Sequence, residues 1–181
     1  GNEGRKNITK KFDVETMCQT NLKEYISDVL FSMNTIIKKT NITIDNKCQA
    51  NIDINTYPGA LSQIITNLII NSIKHAFKET EQGNIIINAS KIDDTIELIY
   101  EDNGEGIDKE TLPKIFDPFF TTNREGGGTG LGLNILYNII TTTLQGTIKC
   151  DSEKGNGIKF KILFQESNKE EISKKDNIWQ I

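Results

Sequence analysis

Asp102-Asn103-Gly104-Glu105-Gly106-Ile107 and, further on, Gly126-Gly127-Gly128-Thr129-Gly130-Leu131-Gly132-Leu133 are the stretches on which the reading of this chain turns. An acidic residue opens the first glycine-rich turn, and the second runs into an apolar helical pattern. A loop with so little side chain brings backbone N–H groups close to a ligand, and a helix starting behind it favours negative charge. That combination suits phosphate. Two familiar nucleotide loops are excluded, because Gly104 and Gly106 lack a third glycine at dinucleotide-fold spacing and no GxxxxGK[ST] occurs.

Working outward, the pattern predicts three helices beside a mostly antiparallel sheet. Residues 1–20 read as a lead-in, with 11–14 as a short strand. Asn21 with Glu24 forms a capping-box pattern, and Leu22, Ile26, Val29, Leu30, Met33, Ile36 and Ile37 follow at helical spacing. Residues 41–45 and 51–55 read as short strands flanking a polar turn. Pro58-Gly59 opens a second helix reaching about residue 78. Residues 84–90 and 95–101 form a hairpin, 103–129 are mostly loop, and a third helix covers 131–144. A last hairpin joins 147–150 to 158–164 around Gly155-Asn156-Gly157. The composition from 166 to 181 predicts a polar, disordered tail. The expected fold class is α+β: a two-layer α/β sandwich whose sheet of about five strands packs on three helices. The order is not the alternating βαβ of a dinucleotide fold.

The second helix carries an unusual polar face. Leu61, Ile65, Leu68, Ile69, Ile73, Ala76 and Phe77 cover its apolar arc, while Gln63, Asn67, Asn71, Lys74, His75 and Lys78 fall together opposite. Asparagine is a poor helix former, so two of them four residues apart are a costly way to make a wet surface. Amide oxygen suits Mg²⁺, which keeps most of its waters. No carboxylate lies on this face, so the ion is expected to arrive with the phosphates of a nucleotide.

The 181 residues suit one domain, 36% of them apolar and 25% charged. A net charge of -4 argues against a general nucleic-acid binder. Cys18, Cys48 and Cys150 show no metal spacing and read as reduced thiols. No apolar run approaches a membrane span, so no membrane contact and a cytoplasmic setting are expected, under a parent that is itself anchored or soluble. The chain reads as a piece of something longer.

Together these pieces resemble the catalytic, ATP-binding domain of bacterial sensor histidine kinases, in the superfamily shared with type II topoisomerases, heat-shock chaperones and mismatch-repair ATPases. Asn67-Leu-Ile-Ile-Asn71-Ser-Ile-Lys74-His75 resembles the N box, Asp102-Asn-Gly104-Glu-Gly106 the G1 box, Phe116-Asp-Pro118-Phe119-Phe120 the F box, and Gly128-Thr129-Gly130-Leu131-Gly132-Leu133 the G2 box. The resemblance covers residues 20–165 and implies ATP and Mg²⁺ as cofactors. It implies that Asn71 coordinates Mg²⁺ with Asn67 beside it, that Lys74 touches phosphate, and that His75 lies against the nucleotide. Asp102 would accept from the adenine amine, and Gly106 would let the base approach. Gly104, Ile107, Phe116, Phe120, Thr129, Leu131 and Leu133 would complete the binding surface, with Gly128, Gly130 and Gly132 along the phosphates. Residues 121–127 would be a lid, with Arg124 as a γ-phosphate contact. Asn71, Lys74 and Arg124 are thus the expected catalytic set.

The same resemblance implies two partners: a phosphoacceptor histidine domain of the parent protein and a downstream response regulator. No acceptor histidine matches in this chain, so the domain is expected to be inactive alone. Gly157-Ile158 stands where the family commonly has Gly-Thr, which removes one polar contact to the base. Two alternatives stay open: a non-catalytic, nucleotide-binding regulatory module, and an ATP-hydrolysing member of the superfamily. The second needs a glutamate in the N-box helix to activate water, and the position four before Asn71 is Asn67.

Overall fold

The computed structural model describes residues 17–77, 82–121 and 128–167. The chain begins with β1 (Cys18–Asn21), α1 (Leu22–Ser32), α2 (Asn34–Ile37), β2 (Ile42–Asn46) and β3 (Asp53–Thr56). Then come α3 (Pro58–Asn71), which widens into a π-helical turn over Ser72–Ala76, β4 (Gly83–Ile92) and β5 (Thr95–Asp102). A 3-10 turn (Leu112–Lys114) precedes α4 (Gly132–Asn138), itself ending in a π-helical turn (Ile139–Thr143), and β6 (Thr147–Ser152) and β7 (Ile158–Gln165) close the fold. Five strands lie in the order β2-β4-β5-β7-β6, with only the β2–β4 pair parallel. This is the mixed, mostly antiparallel sheet on helices that the sequence predicts.

Strand alternation decides which face meets the helices. Ile85, Ile87 and Ala89 of β4, Ile96, Leu98 and Tyr100 of β5, and Phe160, Ile162 and Phe164 of β7 are all buried. They press on Leu61, Ile64, Ile65, Leu68 and Ile69 of α3 and on Leu22, Ile26 and Val29 of α1. The opposite face carries cross-strand ion pairs, Lys159 to Glu101 at 2.7 Å and Lys161 to Glu97. Such exposed pairs add little stability, so the helix-side core holds the sheet together.

Two details depart from the sequence reading, at Met33 and at Glu166, and the structure adds the strand pairing that the sequence left open. The strands near 41–45 and 51–55 do not pair with each other: β2 joins β4, and β3 pairs antiparallel with β1 in a separate two-stranded sheet. The first helix breaks at Met33, where the Ser32 hydroxyl donates to the Val29 carbonyl at 2.6 Å and the poor helix formers Asn34 and Thr35 follow. Its start is as expected, with the Asn21 side chain accepting from Glu24 N at 3.1 Å. Glu166 is held rather than loose. Its Oε1 accepts from the Asn55 backbone and side-chain nitrogens, both at 3.0 Å, and Ser167 N donates to Asn55 O. The strand expected at 11–14 and the tail from 168 lie outside the described residues.

The β6–β7 turn is the part of this frame that touches the glycine-rich loop. Gly157 has φ +73°, and a Cβ there would run into the Asp102 carbonyl. Gly155 has φ +89° but open space around it. Gly157→Ala is therefore expected to lose about 2–4 kcal/mol in urea unfolding and Gly155→Ala about 1 kcal/mol, from backbone strain alone. Equal losses at the two positions would show that the close approach carries no energetic weight.

Candidate functional site

α3 ends over the C-terminal end of β5, and a cleft of about 650 Å³ opens there. That volume suits a nucleotide-sized ligand. One wall is Asn67, Asn71, Lys74 and His75; the floor is Asp102; and Gly106 and Ile107 lie beside it. Gly128, Thr129, Gly130, Leu131, Gly132 and Leu133 form the facing wall. The polar stripe of the second helix thus meets both glycine-rich stretches in one cavity. Its last residues sit on the π-helical turn, whose wider winding leaves Ser72 buried while Lys74 and His75 stay exposed.

Asp102 is 7% exposed. Its Oδ2 accepts from the Ser72 hydroxyl at 2.6 Å, and its Oδ1 accepts from Gly104 N at 3.0 Å. Burial pushes its carboxyl above the usual range, and the bonds from Ser72, Gly104 and the Ile158 backbone draw it back. Partial burial, and then the Lys74 ammonium beside it, lower the His75 imidazole. Both favour the neutral imidazole.

The first glycine-rich loop is clamped from three sides. Glu105 N donates to Ala76 O at 2.8 Å, which ties it to the π-helical turn. Asn103 and Asn84 exchange bonds, Asn103 N to Asn84 O at 3.2 Å and Asn84 N to Asn103 Oδ1 at 2.7 Å. Ile107 N donates to Ser152 Oγ at 2.8 Å, and that hydroxyl donates to Gly157 O at 2.7 Å. Gly106 has φ +66°, and its missing Cβ leaves room for the carbonyls of Glu153 and Gly157. Its smallness here serves the packing of two turns.

Some expected site residues are not on the cleft. A Cβ on Gly104 would stand 2.5 Å from the Cβ and carbonyl of Ala76, so Gly104 lies beneath the loop against the helix. Phe116 points away, with ring centroids 5.4 Å from Tyr137 and 6.3 Å from Phe160, and Asn134 Nδ2 donates to its carbonyl at 2.9 Å. It anchors the loop to the core, whereas Phe120 does line the cavity. Gly130, at φ +66°, packs against the backbone of Phe119 and Phe120, which interlocks the F and G2 boxes. Arg124 and the rest of 122–127 lie outside the described residues.

The two asparagines differ. Asn67 Nδ2 donates to Gly132 O at 3.3 Å and so ties α3 to the start of α4. Asn71 Nδ2 is buried with no hydrogen-bond partner among the described residues. Gly132 lies against this amide: a Cβ there would sit 3.4 Å from its Oδ1, in ordinary contact. Three residues the sequence reading missed also matter. Ser72 lies directly under Asp102, Tyr100 lies under Ser72, and Lys154 reaches Glu105 Oε2 at 3.0 Å across the rim. Tyr100 could have been found from strand alternation, since it shares a face with Asp102 two residues on.

A family model described as histidine kinase-, DNA gyrase B- and HSP90-like ATPase matches residues 56–168. The chain belongs to this family. Its relatives include the sensor kinase CckA of Brucella abortus, 40% identical over 58% of this chain, and sporulation kinase A of Bacillus subtilis, 34% identical over 80%. The chain spans only 12% and 23% of those two proteins. The nucleotide-free catalytic domain of histidine kinase ThkA superposes with a TM-score of 0.72 at 28% identity, over 83% of this chain and 96% of that one. ThkA in complex with the response regulator TrrA gives 0.69 at 26% identity, over 83% of this chain and 42% of the kinase. Within the family, this chain is a catalytic, ATP-binding domain of the sensor histidine kinase type.

The unpartnered Asn71 amide has a measurable consequence. A buried amide without a partner contributes little to folding, so Asn71→Ala is expected to change the unfolding free energy of the ligand-free domain by no more than about 1 kcal/mol. The same change is expected to abolish stabilisation by ATP. Thermal melts with and without nucleotide check both; a large loss without nucleotide would mark Asn71 as a structural residue.

Proposed function

We propose that the domain binds ATP·Mg²⁺ in this cleft and donates the γ-phosphoryl to a histidine on a separate phosphoacceptor domain of the parent protein, from which it passes to a response regulator. The observation that carries this reading is a buried carboxylate and an unpartnered buried amide facing one cavity. The carboxylate suits the adenine amine, and the amide suits the triphosphate end.

Mg²⁺ would be held by the Asn71 amide with Asn67 beside it. The donor set fits, since no cluster of acidic, cysteine or histidine ligands occurs among the described residues and a neutral amide matches an ion arriving on phosphate. When bound, the ion neutralises charge on the triphosphate. Lys74 adds a cation on the same wall, His75 lies against the nucleotide, and Arg124 is the proposed γ-phosphate contact. Ile107, Phe120, Leu131 and Leu133 would supply the apolar lining, and Phe116 acts one step back as an anchor. The acceptor imidazole nitrogen forms the new P–N bond as the β–γ bridge breaks and ADP leaves. Phosphoryl transfer asks the protein mainly to position these groups and to screen charge. No helix among the described residues is long and apolar enough to cross a membrane. We assign the domain to the cytoplasm, where ATP is available.

A hydrogen bond to a charged group contributes about 1.5–3 kcal/mol. Asp102→Asn is therefore expected to weaken ATP-analogue binding about 10- to 150-fold by calorimetry. Radiolabelled ATP mixed with the domain and an acceptor hairpin is expected to label the acceptor histidine. Binding without any label would favour a regulatory module instead.

A further inference from the structure

We infer that Ser72 and Tyr100 form a buried relay that holds the Asp102 carboxylate in the orientation needed to select a purine amine. The inference rests on the reading of Asp102 as the adenine acceptor and adds two positioning residues to it. Among the described residues the buried polar side chains are few: Thr20, Thr56, Ser72 and Asp102, joined by the phenol of Tyr100. Two of the four, and the phenol, meet at the floor of one cleft.

The direction of the relay follows from counting protons. Ser72 has a single hydroxyl proton. The Asp102 oxygen 2.6 Å away is an acceptor of charge-assisted strength and takes it. Tyr100 Oη lies 2.7 Å from Ser72 Oγ and 3.2 Å from the Leu68 carbonyl. With the serine proton spent, Tyr100 is the donor of this pair, its single proton shared between Ser72 Oγ and the Leu68 carbonyl. Burial pushes its phenol up, so it keeps its proton throughout the working pH range. Gly104 N fixes the other carboxylate oxygen at 3.0 Å. Both oxygens are thus held from beneath and beside, and the carboxylate cannot rotate about its own axis.

Because Tyr100 and Asp102 come from β5 and Ser72 from the end of α3, the relay also fixes helix against strand at the point where the base would sit. A carboxylate held this way offers the cleft an acceptor and no donor. A purine with an exocyclic amine satisfies it. An inosine nucleotide presents a carbonyl oxygen there, sets acceptor against acceptor and is rejected. Were the relay only a packing device, its loss would weaken both nucleotides alike.

Displacement titrations with ATP and ITP on the wild type, Ser72→Ala, Tyr100→Phe, Asp102→Asn and the Ser72→Ala/Asp102→Asn pair decide between these roles. The wild type is expected to prefer ATP. Ser72→Ala is expected to lower ATP affinity about 3- to 10-fold, the loss of one hydrogen bond, while ITP changes less than about twofold. Tyr100→Phe, which keeps the ring in the core, is expected to reduce the ATP/ITP preference by a smaller factor. Ser72→Ala is expected to add nothing once Asp102→Asn is present. A preference unchanged in both Ser72→Ala and Tyr100→Phe, or equal losses for the two nucleotides, overturns the inference. A wild type without any preference for ATP overturns the reading of Asp102 itself.

Discussion

The carboxylate of Asp102 sits on the floor of a cleft with little water around it, and the rest of the structure is arranged so that it can stay charged there. An isolated buried carboxylate would be driven to its neutral form, at a cost of several kcal/mol. Here a serine hydroxyl and a backbone N–H point at it, and the end of a strand supplies the backbone frame. Those donors offset part of the desolvation, and the carboxyl still titrates above its ordinary range. A group left in that state favours one more donor. A ligand amine is the further partner we propose for it.

Holding the donors in place is the work of the glycines. Gly106, Gly130 and Gly157 all have positive φ, and each lies where a Cβ would strike a neighbouring backbone. They let neighbouring turns pack backbone against backbone. The G1 loop meets the β6–β7 turn through Gly106 and Gly157, and the F box meets the G2 box through Gly130. Gly104 and Ala76 bring the loop against the end of α3. Binding residues from distant parts of the chain thus face one cavity by backbone-to-backbone contact, which changes little with side-chain motion.

Much of this was legible in the sequence, because the strongest signals are local. Period-two alternation in β4, β5 and β7 marks the sheet face, and the amide-rich stripe on α3 marks the cleft wall. Pairing partners were less legible. Nothing local states that β2 joins β4 rather than β3, since a parallel partner is chosen by the packing of α1 and α3 between them. The site residues divide in the same way. Asp102, Asn71 and the G2 glycines advertise themselves by residue type. Ser72 reads as one more small residue in an apolar helix until the π-helical turn brings it under Asp102. Phe116 carries the aromatic signal of a site residue, yet packing against Tyr137 and Phe160 takes it out of the cleft. Glu166 looked like part of a polar tail, and only the fold reveals Asn55 and Lys91 waiting for it.

The central claim is that a purine triphosphate lies with its base on Asp102 and its phosphates beside Asn71. A crystal structure of the domain grown with a non-hydrolysable ATP analogue and Mg²⁺ tests it most directly. The account predicts the exocyclic amine at about 2.7–3.2 Å from the Asp102 carboxylate, with the triphosphate running toward Asn71 and Lys74. A purine seated elsewhere, or a cleft without nucleotide at saturating concentration, would contradict it.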